Sequence, residues 1–146
     1  PVARVLKLVR AFMKRGPAEI CLADSSGLAN PRQVEEVVAR ARHETGQAEL
    51  SLHLHNTRGL GAANVFAALR QGVSIFDTSL GGLGGCPFIP GARGNIATED
   101  TVYLLHEMRL KTGVDLDGLV RAGLPLGAFL GKPFRTVVSV LKQPLY

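Results

Sequence analysis

The sequence has 146 residues, of which 46% are hydrophobic and 20% charged, and its mean hydropathy is +0.16. This composition excludes an intrinsically disordered chain, and the length allows one ordinary domain. The net charge is +5, but Trp is absent and aromatic residues make up only 5%, so we do not expect a nucleic-acid partner that would need stacking platforms.

The first half of the chain shows two helical patterns that flank a short apolar strand. Residues 2–15 carry an apolar stripe at helical spacing, and Gly16 supplies the stop. Residues 18–24 then form a short apolar segment that predicts a buried strand. Asn30 as N-cap and Pro31 at the first helical position predict a second helix, which ends at Gly46.

The second half repeats this alternation and then becomes rich in glycine. We predict a strand at 49–55, a helix at about 59–71, a strand at 73–79, a glycine-rich loop at 80–97 and a helix that Thr98 caps and Gly113 ends. Beyond Gly113 we expect short helical pieces broken by Gly and Pro, and an apolar stretch at 137–141. We divide the chain into a catalytic part, 1–113, and a C-terminal helical extension, 114–146.

Strands that alternate with helices predict a parallel sheet with crossover helices. Asp24, His55 and Asp77 all fall at the C-terminal ends of predicted strands, where open α/β sheets and TIM barrels alike place their sites. Three strand–helix repeats make less than half of an eight-stranded barrel. Because the first residue is Pro1 rather than Met, we expect that the sequence is a fragment.

The sharpest local pattern is the pair His53 and His55, separated by one residue. Residues two apart in a strand point to the same side, so both imidazoles lie about 7 Å apart on one face, and the leucines at 50, 52 and 54 lie on the other. Two such imidazoles can converge on one metal ion. The alternative is two unrelated polar residues at the mouth of the sheet.

The second pattern is the glycine-rich loop that contains Cys86. Its glycines allow unusual backbone conformations and movement over a ligand, and it lacks the Lys-Ser/Thr of a P-loop. A cysteine in a mobile loop can act as an acid or base, although a flexible linker with a chance cysteine has the same pattern. We place the other cysteine, Cys21, in the core of its strand. Two cysteines are too few for a disulfide scaffold and fit a reducing cytosol.

Three further polar residues have both a structural and a functional interpretation. Asn95 either organises the start of the following helix or offers an amide oxygen to a hard cation. Asp24 either forms a turn or belongs to a site. Glu99 at a helix start either compensates the helix dipole or faces the site. No apolar run is long enough to span a membrane and no signal-peptide pattern occurs, so we expect a cytoplasmic protein without a membrane partner.

Three segments together resemble a known enzyme family. They are Leu52-His-Leu-His-Asn-Thr-Arg-Gly59, Gly82-Leu-Gly-Gly-Cys-Pro87 and Gly94-Asn-Ile-Ala-Thr-Glu-Asp100, and they are similar to the signatures of hydroxymethylglutaryl-CoA (HMG-CoA) lyases. That resemblance implies a (β/α)8 TIM barrel, of which this chain supplies roughly strands six to eight and the C-terminal helices. The paired histidines alone would indicate only the wider group of metal-dependent TIM-barrel lyases, aldolases and synthases.

The resemblance also implies the site and its chemistry. His53, His55 and Asn95 are expected to coordinate Mg²⁺ or Mn²⁺, and Cys86, His53, Asp24 and Glu99 to serve catalysis. The implied reaction is a retro-Claisen cleavage of an acyl-CoA, for HMG-CoA to acetyl-CoA and acetoacetate. The family's further metal-binding Asp and catalytic Arg belong to the first barrel strand, outside this sequence. We therefore expect the 146-residue chain alone to be inert, and its partner to be the missing N-terminal half or a second subunit of a homodimer.

Two departures from the family pattern leave the substrate open. Arg58 stands where the lyases commonly have Tyr, and Ser25-Ser26 follow Asp24 where they usually have Thr-Ile. A cation at position 58 favours a differently placed carboxylate or CoA phosphate, as in a citramalyl-CoA lyase. The alternatives are therefore a lyase for a related acyl-CoA, an oxoacid aldolase or isopropylmalate synthase of the same barrel group, and a truncated, non-catalytic half-barrel.

Overall fold

A computed structural model describes residues 2–89, 91, 94–131, 134 and 136. Strands and helices alternate along these residues, as the sequence predicts. The elements are α1 (Val2–Met13), β1 (Glu19–Asp24), α2 (Pro31–Thr45), β2 (Glu49–Leu54), α3 (Gly61–Arg70), β3 (Ile75–Asp77), a 3-10 turn (Leu80–Gly82), α4 (Thr98–Glu107) and α5 (Leu116–Phe129).

The three strands form one parallel sheet in the order β1-β2-β3. Parallel neighbours need a crossover connection, and α2 and α3 supply it. The register aligns Ala23 of β1 with His53 of β2 and Asp77 of β3. The carboxyl ends of all three strands therefore meet at one edge of the sheet, where the chain continues into its polar and glycine-rich loops.

The core lies between one face of the sheet and the first three helices. Leu50, Leu52 and Leu54 of β2 are only 7%, 2% and 2% exposed, which confirms that these alternate residues face the helices. Val34 and Val38 on α2 belong to the same apolar cluster. Burial of each such side chain stabilises the fold by about 1.5–3 kcal/mol, so this helix-covered face anchors the sheet.

The opposite face of β1 is open, and there the prediction for Cys21 is wrong. Ile20 is buried and Leu22 is partly buried against the helices, so alternation turns Cys21 and Ala23 to the other side, where both are exposed. No element in the described part of the chain covers them. The sequence pattern identified the strand correctly but not which of its faces the rest of this chain would cover.

Helix ends follow local chemistry, with two differences from prediction. Asn30 caps α2 as expected, in a capping box with Gln33. By contrast, Ala97 rather than Thr98 is the N-cap residue of α4, and Thr98 is its first helical residue. The same helix ends at Glu107, before Gly113, because Arg109 adopts a left-handed conformation with φ 59° that stops the helix.

The C-terminal region is more regular than its composition indicates. Instead of short pieces, α5 runs without interruption from Leu116 to Phe129, with Pro125 inside it. Gly123 and Gly127 are buried in this helix, so the glycines that we took as breaks provide close packing. The apolar stretch at 137–141 lies outside the described residues, and the division at 113/114 stays a prediction. None of the described helices combines the length and apolarity needed to cross a membrane.

Candidate functional site

The two histidines meet at the carboxyl end of β2. His53 is the last residue of β2 on the face opposite the leucines, and His55 follows directly after the strand. Only 5% of the surface of His55 is exposed. Their Nε2 atoms lie 3.1 Å apart. Two ligand atoms held at right angles about 2.1 Å from an octahedral cation also lie roughly 3 Å apart. The pair can therefore share a hydrogen bond between a protonated and an unprotonated ring nitrogen, or bind one cation together.

Asp77 of β3 stands behind His53. Its Oδ2 lies 3.4 Å from His53 Nδ1. When Nδ1 carries the proton and donates it to this carboxylate, Nε2 keeps its lone pair, which is directed toward His55. A carboxylate at the far nitrogen of a ligand histidine is a common support of metal sites. The sequence pattern places Asp77 at the end of a strand but indicates no partner for it. The parallel register, which pairs it with His53, is the signal that could have identified it.

A short extended segment, 94–97, brings Asn95 to the histidines. It lies between the ends of β2 and β3, with one bridge from His55 to Asn95 and another from Ser79 to Ala97. The amide of Asn56 donates to Gly94 O, and the amide of Ile96 donates to Leu54 O, each at 3.1 Å. The backbone of Asn95 is thereby fixed beside His55, although the two residues are far apart in sequence.

The side chain of Asn95 fits a role in binding a cation. Its Nδ2 donates to Leu83 O at 2.8 Å, whereas its Oδ1 is buried and without a hydrogen-bond partner among the described residues. A buried amide oxygen without a partner costs about 1–3 kcal/mol, and a hard cation such as Mg²⁺ would satisfy it. His53, His55 and Asn95 are thus suited to one divalent ion.

These three side chains form an incomplete ligand set. Within the described residues, no three His, Cys, Asp or Glu side chains are grouped so that they could hold a metal ion. Two imidazoles and an amide oxygen leave positions for further oxygen ligands, which is the usual environment of Mg²⁺ and Mn²⁺ rather than of a closed structural zinc site.

The base of the glycine-rich loop is packed directly against Asn95. A Cβ atom on Gly84, where φ is +105°, would lie 2.7 Å from Asn95 Nδ2, and one on Gly94 would overlap Gly82 O. Real Cβ atoms essentially never approach another heavy atom within 3.0 Å. The missing Cβ atoms therefore allow the loop base to pack closely on Asn95 and on the backbone before it. The composition of the loop predicted freedom of the backbone but not this close packing.

Cys86 lies beyond this packed base. It is half-buried, and its carbonyl accepts from the amide of Ile89 at 3.2 Å in a turn. Its thiol forms no hydrogen bond with other described side chains, and Phe88 beside it is 90% exposed. Cys86 thus lies in a turn beyond Leu83, the residue that is hydrogen-bonded to Asn95.

Glu99 lies at the other side of the same loop base. It is 1% exposed, and its two carboxylate oxygens accept from the amide of Gly81 at 3.0 and 2.9 Å. This bond fixes the 3-10 turn from which the Cys86 loop departs. Glu99 therefore contacts the loop rather than the histidine pair.

Asp24, at the end of β1, organises its own turn. Its Oδ1 accepts from Ser26 Oγ at 3.0 Å and from the amide of Leu28 at 3.3 Å, and its Oδ2 accepts from the amide of Ala29 at 3.0 Å. The structure shows the turn, and the role of Asp24 in the site stays a prediction. Asp24 shares the carboxyl edge of the sheet with His53 and His55 but is not hydrogen-bonded to either among the described residues.

Comparison with known proteins identifies relatives with the same fold. A family model described as HMGL-like matches residues 1–124. The hydroxymethylglutaryl-CoA lyase YngG of Bacillus subtilis is 44% identical over 133 residues, which cover 91% of this chain and 44% of that protein. The (R)-citramalyl-CoA lyase of Chloroflexus aurantiacus is 44% identical over 136 residues, covering 93% and 43%.

A solved structure matches as closely. An HMG-CoA lyase from Acinetobacter baumannii, in complex with coenzyme A and 3-methylmalate, superposes with a TM-score of 0.91 at 44% identity, over 97% of this chain and 46% of that one. The chain therefore spans less than half the length of the relatives that it matches. Its parallel strand–helix units form part of a TIM barrel, which confirms the predicted fold. The chain belongs to the HMGL-like family.

Proposed function

We propose that this chain forms the histidine- and cysteine-bearing part of a carbon–carbon lyase that cleaves HMG-CoA to acetyl-CoA and acetoacetate. The observation that carries the proposal is the meeting of the two Nε2 atoms, 3.1 Å apart. The backbone of Asn95 is bridged to that of His55, and its Oδ1 is buried and without a partner among the described residues. A relative at 44% identity and another at 43% bear the name of this activity. The remaining ligands and the rest of the barrel lie outside the chain.

The proposed site holds Mg²⁺ or Mn²⁺ through His53, His55 and Asn95. The bound ion supplies Lewis-acid stabilisation of the negative charge that develops on substrate oxygen. Asp77 orients His53 from behind, so that Nε2 faces the site. The segment 94–97 keeps Asn95 next to His55 through backbone hydrogen bonds. These residues therefore preorganise the site before the substrate arrives.

The cleavage itself moves one proton off the substrate and one proton back. A base, His53 or Asp24, removes the proton of the tertiary hydroxyl, the C2–C3 bond breaks, and acetoacetate leaves. The electron pair of that bond passes to the acetyl-CoA enolate, which takes a proton from the Cys86 thiol. His53 would bind the cation through Nε2 and has Asp77 at Nδ1, which leaves neither ring nitrogen to accept a proton. Asp24 is therefore the base that the geometry favours, because its two oxygens offer about four acceptor sites and the loop uses three of them.

A second candidate function is the cleavage of citramalyl-CoA, a shorter substrate. The relative named (R)-citramalyl-CoA lyase is as similar to this chain as the B. subtilis relative, at 44% identity. Arg58 is the observation that favours it. This residue is exposed in the turn after His55, which closes with a 3.1 Å hydrogen bond from Gly59 N to Asn56 O. It forms no ion pair with any other described residue, and its guanidinium is available to a substrate carboxylate or phosphate.

The test is a comparison of substrates with the complete polypeptide. HMG-CoA and citramalyl-CoA are each incubated with Mn²⁺ and, separately, with excess EDTA, and release of acetyl-CoA is followed by chromatography. We expect cleavage that depends on the cation and is lost in His53→Ala. Cleavage of citramalyl-CoA alone would favour the second candidate, and cleavage of neither substrate would contradict both.

A further inference from the structure

The two polar atoms of the Asn95 carboxamide have different surroundings, since one is hydrogen-bonded and the other is not. Nδ2 donates to Leu83 O at 2.8 Å. Since a carbonyl can only accept, the nitrogen must be the atom on that side, and the orientation of the amide is therefore fixed. Oδ1 is the opposite end, buried and without a partner among the described residues. One side chain thus links the candidate cation position to the backbone of the glycine-rich loop.

Leu83 is the point at which the loop is held. Its carbonyl accepts from Asn95 Nδ2 at 2.8 Å and from Ser79 Oγ at 2.6 Å. Two glycines follow Leu83, and Cys86 comes next. The side-chain amide of Asn95 therefore acts on the backbone three residues before the thiol, and Gly84 makes the approach possible because it has no Cβ to meet Nδ2.

We propose that Asn95 couples cation binding to the position of the Cys86 loop. A positive charge at Oδ1 draws electron density from the amide and makes the N–H of Nδ2 a stronger donor to Leu83 O, because linked polar groups polarise one another. The loop is held more firmly when the cation is bound than when it is absent. Asn95 is thus a positioning residue for Cys86 in addition to a ligand, and this inference rests on the cation site of the proposed function.

The consequence is an order of assembly within the site. The thiol spends a larger fraction of the time in its working position once the cation has reached Asn95. The enzyme without its cation would keep Cys86 in a looser, more reactive state toward external reagents. This difference provides a readout that does not depend on turnover.

The experiment measures alkylation of Cys86 by iodoacetamide in the complete polypeptide. Cys21 is exposed, so the reference protein carries Cys21→Ser, and mass spectrometry of the Cys86 peptide reports the rate. Mn²⁺ binding is measured separately by electron paramagnetic resonance. We expect saturating Mn²⁺ to slow the alkylation roughly two- to tenfold, the range that corresponds to the net strength of one hydrogen bond.

Two variants disrupt the hydrogen bond from Asn95 Nδ2 to Leu83 O, one by changing the donor and the other by changing the loop beside it. Asn95→Asp keeps an oxygen ligand but replaces the donor with an acceptor that repels Leu83 O. Gly84→Ala leaves Asn95 intact and places a Cβ only 2.7 Å from Nδ2, which must move away from Leu83 O. We expect both to bind Mn²⁺ and to show an alkylation rate that no longer responds to it. The matched control is Ser79→Ala, which removes the other donor to Leu83 O and should retain the response.

The outcomes separate this inference from the proposed function. Failure of the reference protein to bind Mn²⁺ would defeat the cation site and the coupling together. Mn²⁺ binding without any change in alkylation rate would defeat the coupling alone. If Asn95→Asp binds Mn²⁺ and is protected as well as the reference, the cation itself shields the thiol and Asn95 does not transmit the effect, which also overturns the inference.

Discussion

Substitution of Gly94 by alanine is the sharpest test of how this site is built. The new Cβ would overlap Gly82 O and lie 3.0 Å from Gly84 O. Both contacts are with backbone atoms, which cannot rotate away as a flexible side chain would. The Cβ would lie 1.8 Å from Gly82 O, so the segment 94–97 and the loop base must move apart by roughly 1.6 Å to reach an ordinary contact of 3.4 Å.

The size of the effect follows from what this separation breaks. Overpacking of this kind costs about 1–3 kcal/mol, and loss of the bond from Asn95 Nδ2 to Leu83 O adds about 1 kcal/mol. For a domain larger than 150 residues, each kcal/mol lowers Tm by roughly 2–4 °C. The same shift would displace Asn95 from its position beside His55. Loss of the groups that hold a metal ligand in place typically weakens metal affinity about 10- to 100-fold.

Two measurements on the complete polypeptide check this prediction, namely thermal unfolding and Mn²⁺ titration. Gly91→Ala is the matched control, because Gly91 lies in the same loop with φ +75° but no atom of the described residues lies within 4 Å of its added Cβ. We expect the control to lose some stability through backbone strain and to keep its Mn²⁺ affinity. A Gly94→Ala protein with the wild-type Tm and Mn²⁺ affinity would refute the packing that we describe.

Three other substitutions test the roles of single side chains. Glu99→Ala should lower the free energy of unfolding in urea by about 1.5–3 kcal/mol, because Gly81 N loses a charged acceptor; an unchanged midpoint would contradict this. Asp24→Asn should lower kcat about 10²- to 10⁴-fold, because the amide cannot accept the hydroxyl proton; turnover within about tenfold of wild type would remove Asp24 from the role of base. Arg58→Gln should raise KM for the acyl-CoA about tenfold with little change in kcat, while Arg15→Gln, in the turn after α1, should leave both constants unchanged. Equal KM values in wild type and Arg58→Gln would remove Arg58 from substrate binding.

Local periodicity was sufficient to predict most of the fold. The alternation in β2 placed Leu52 in the core and His53 on the opposite face, because side-chain direction in a strand depends only on the parity of the position. The same rule failed for Cys21, because whether a face is buried depends on what covers it. Likewise, no local preference predicts that Arg109 rather than Gly113 ends α4.

The candidate site was predictable as a set of residues but not as a network. The spacing of His53 and His55 predicts two converging imidazoles, and the resemblance adds Asn95. The link from Asn95 to Leu83, and the support of His53 by Asp77, depend on contacts between distant segments. The glycines illustrate the same limit, since composition indicates freedom of the backbone, whereas the structure uses their missing Cβ atoms for close approach.

Leu83 and Asn95 are 12 residues apart in sequence, yet the hydrogen bond from Asn95 Nδ2 to Leu83 O joins them and closes the base of the glycine-rich loop. Substitutions or insertions in the loop beyond that contact need not disturb the position of Asn95.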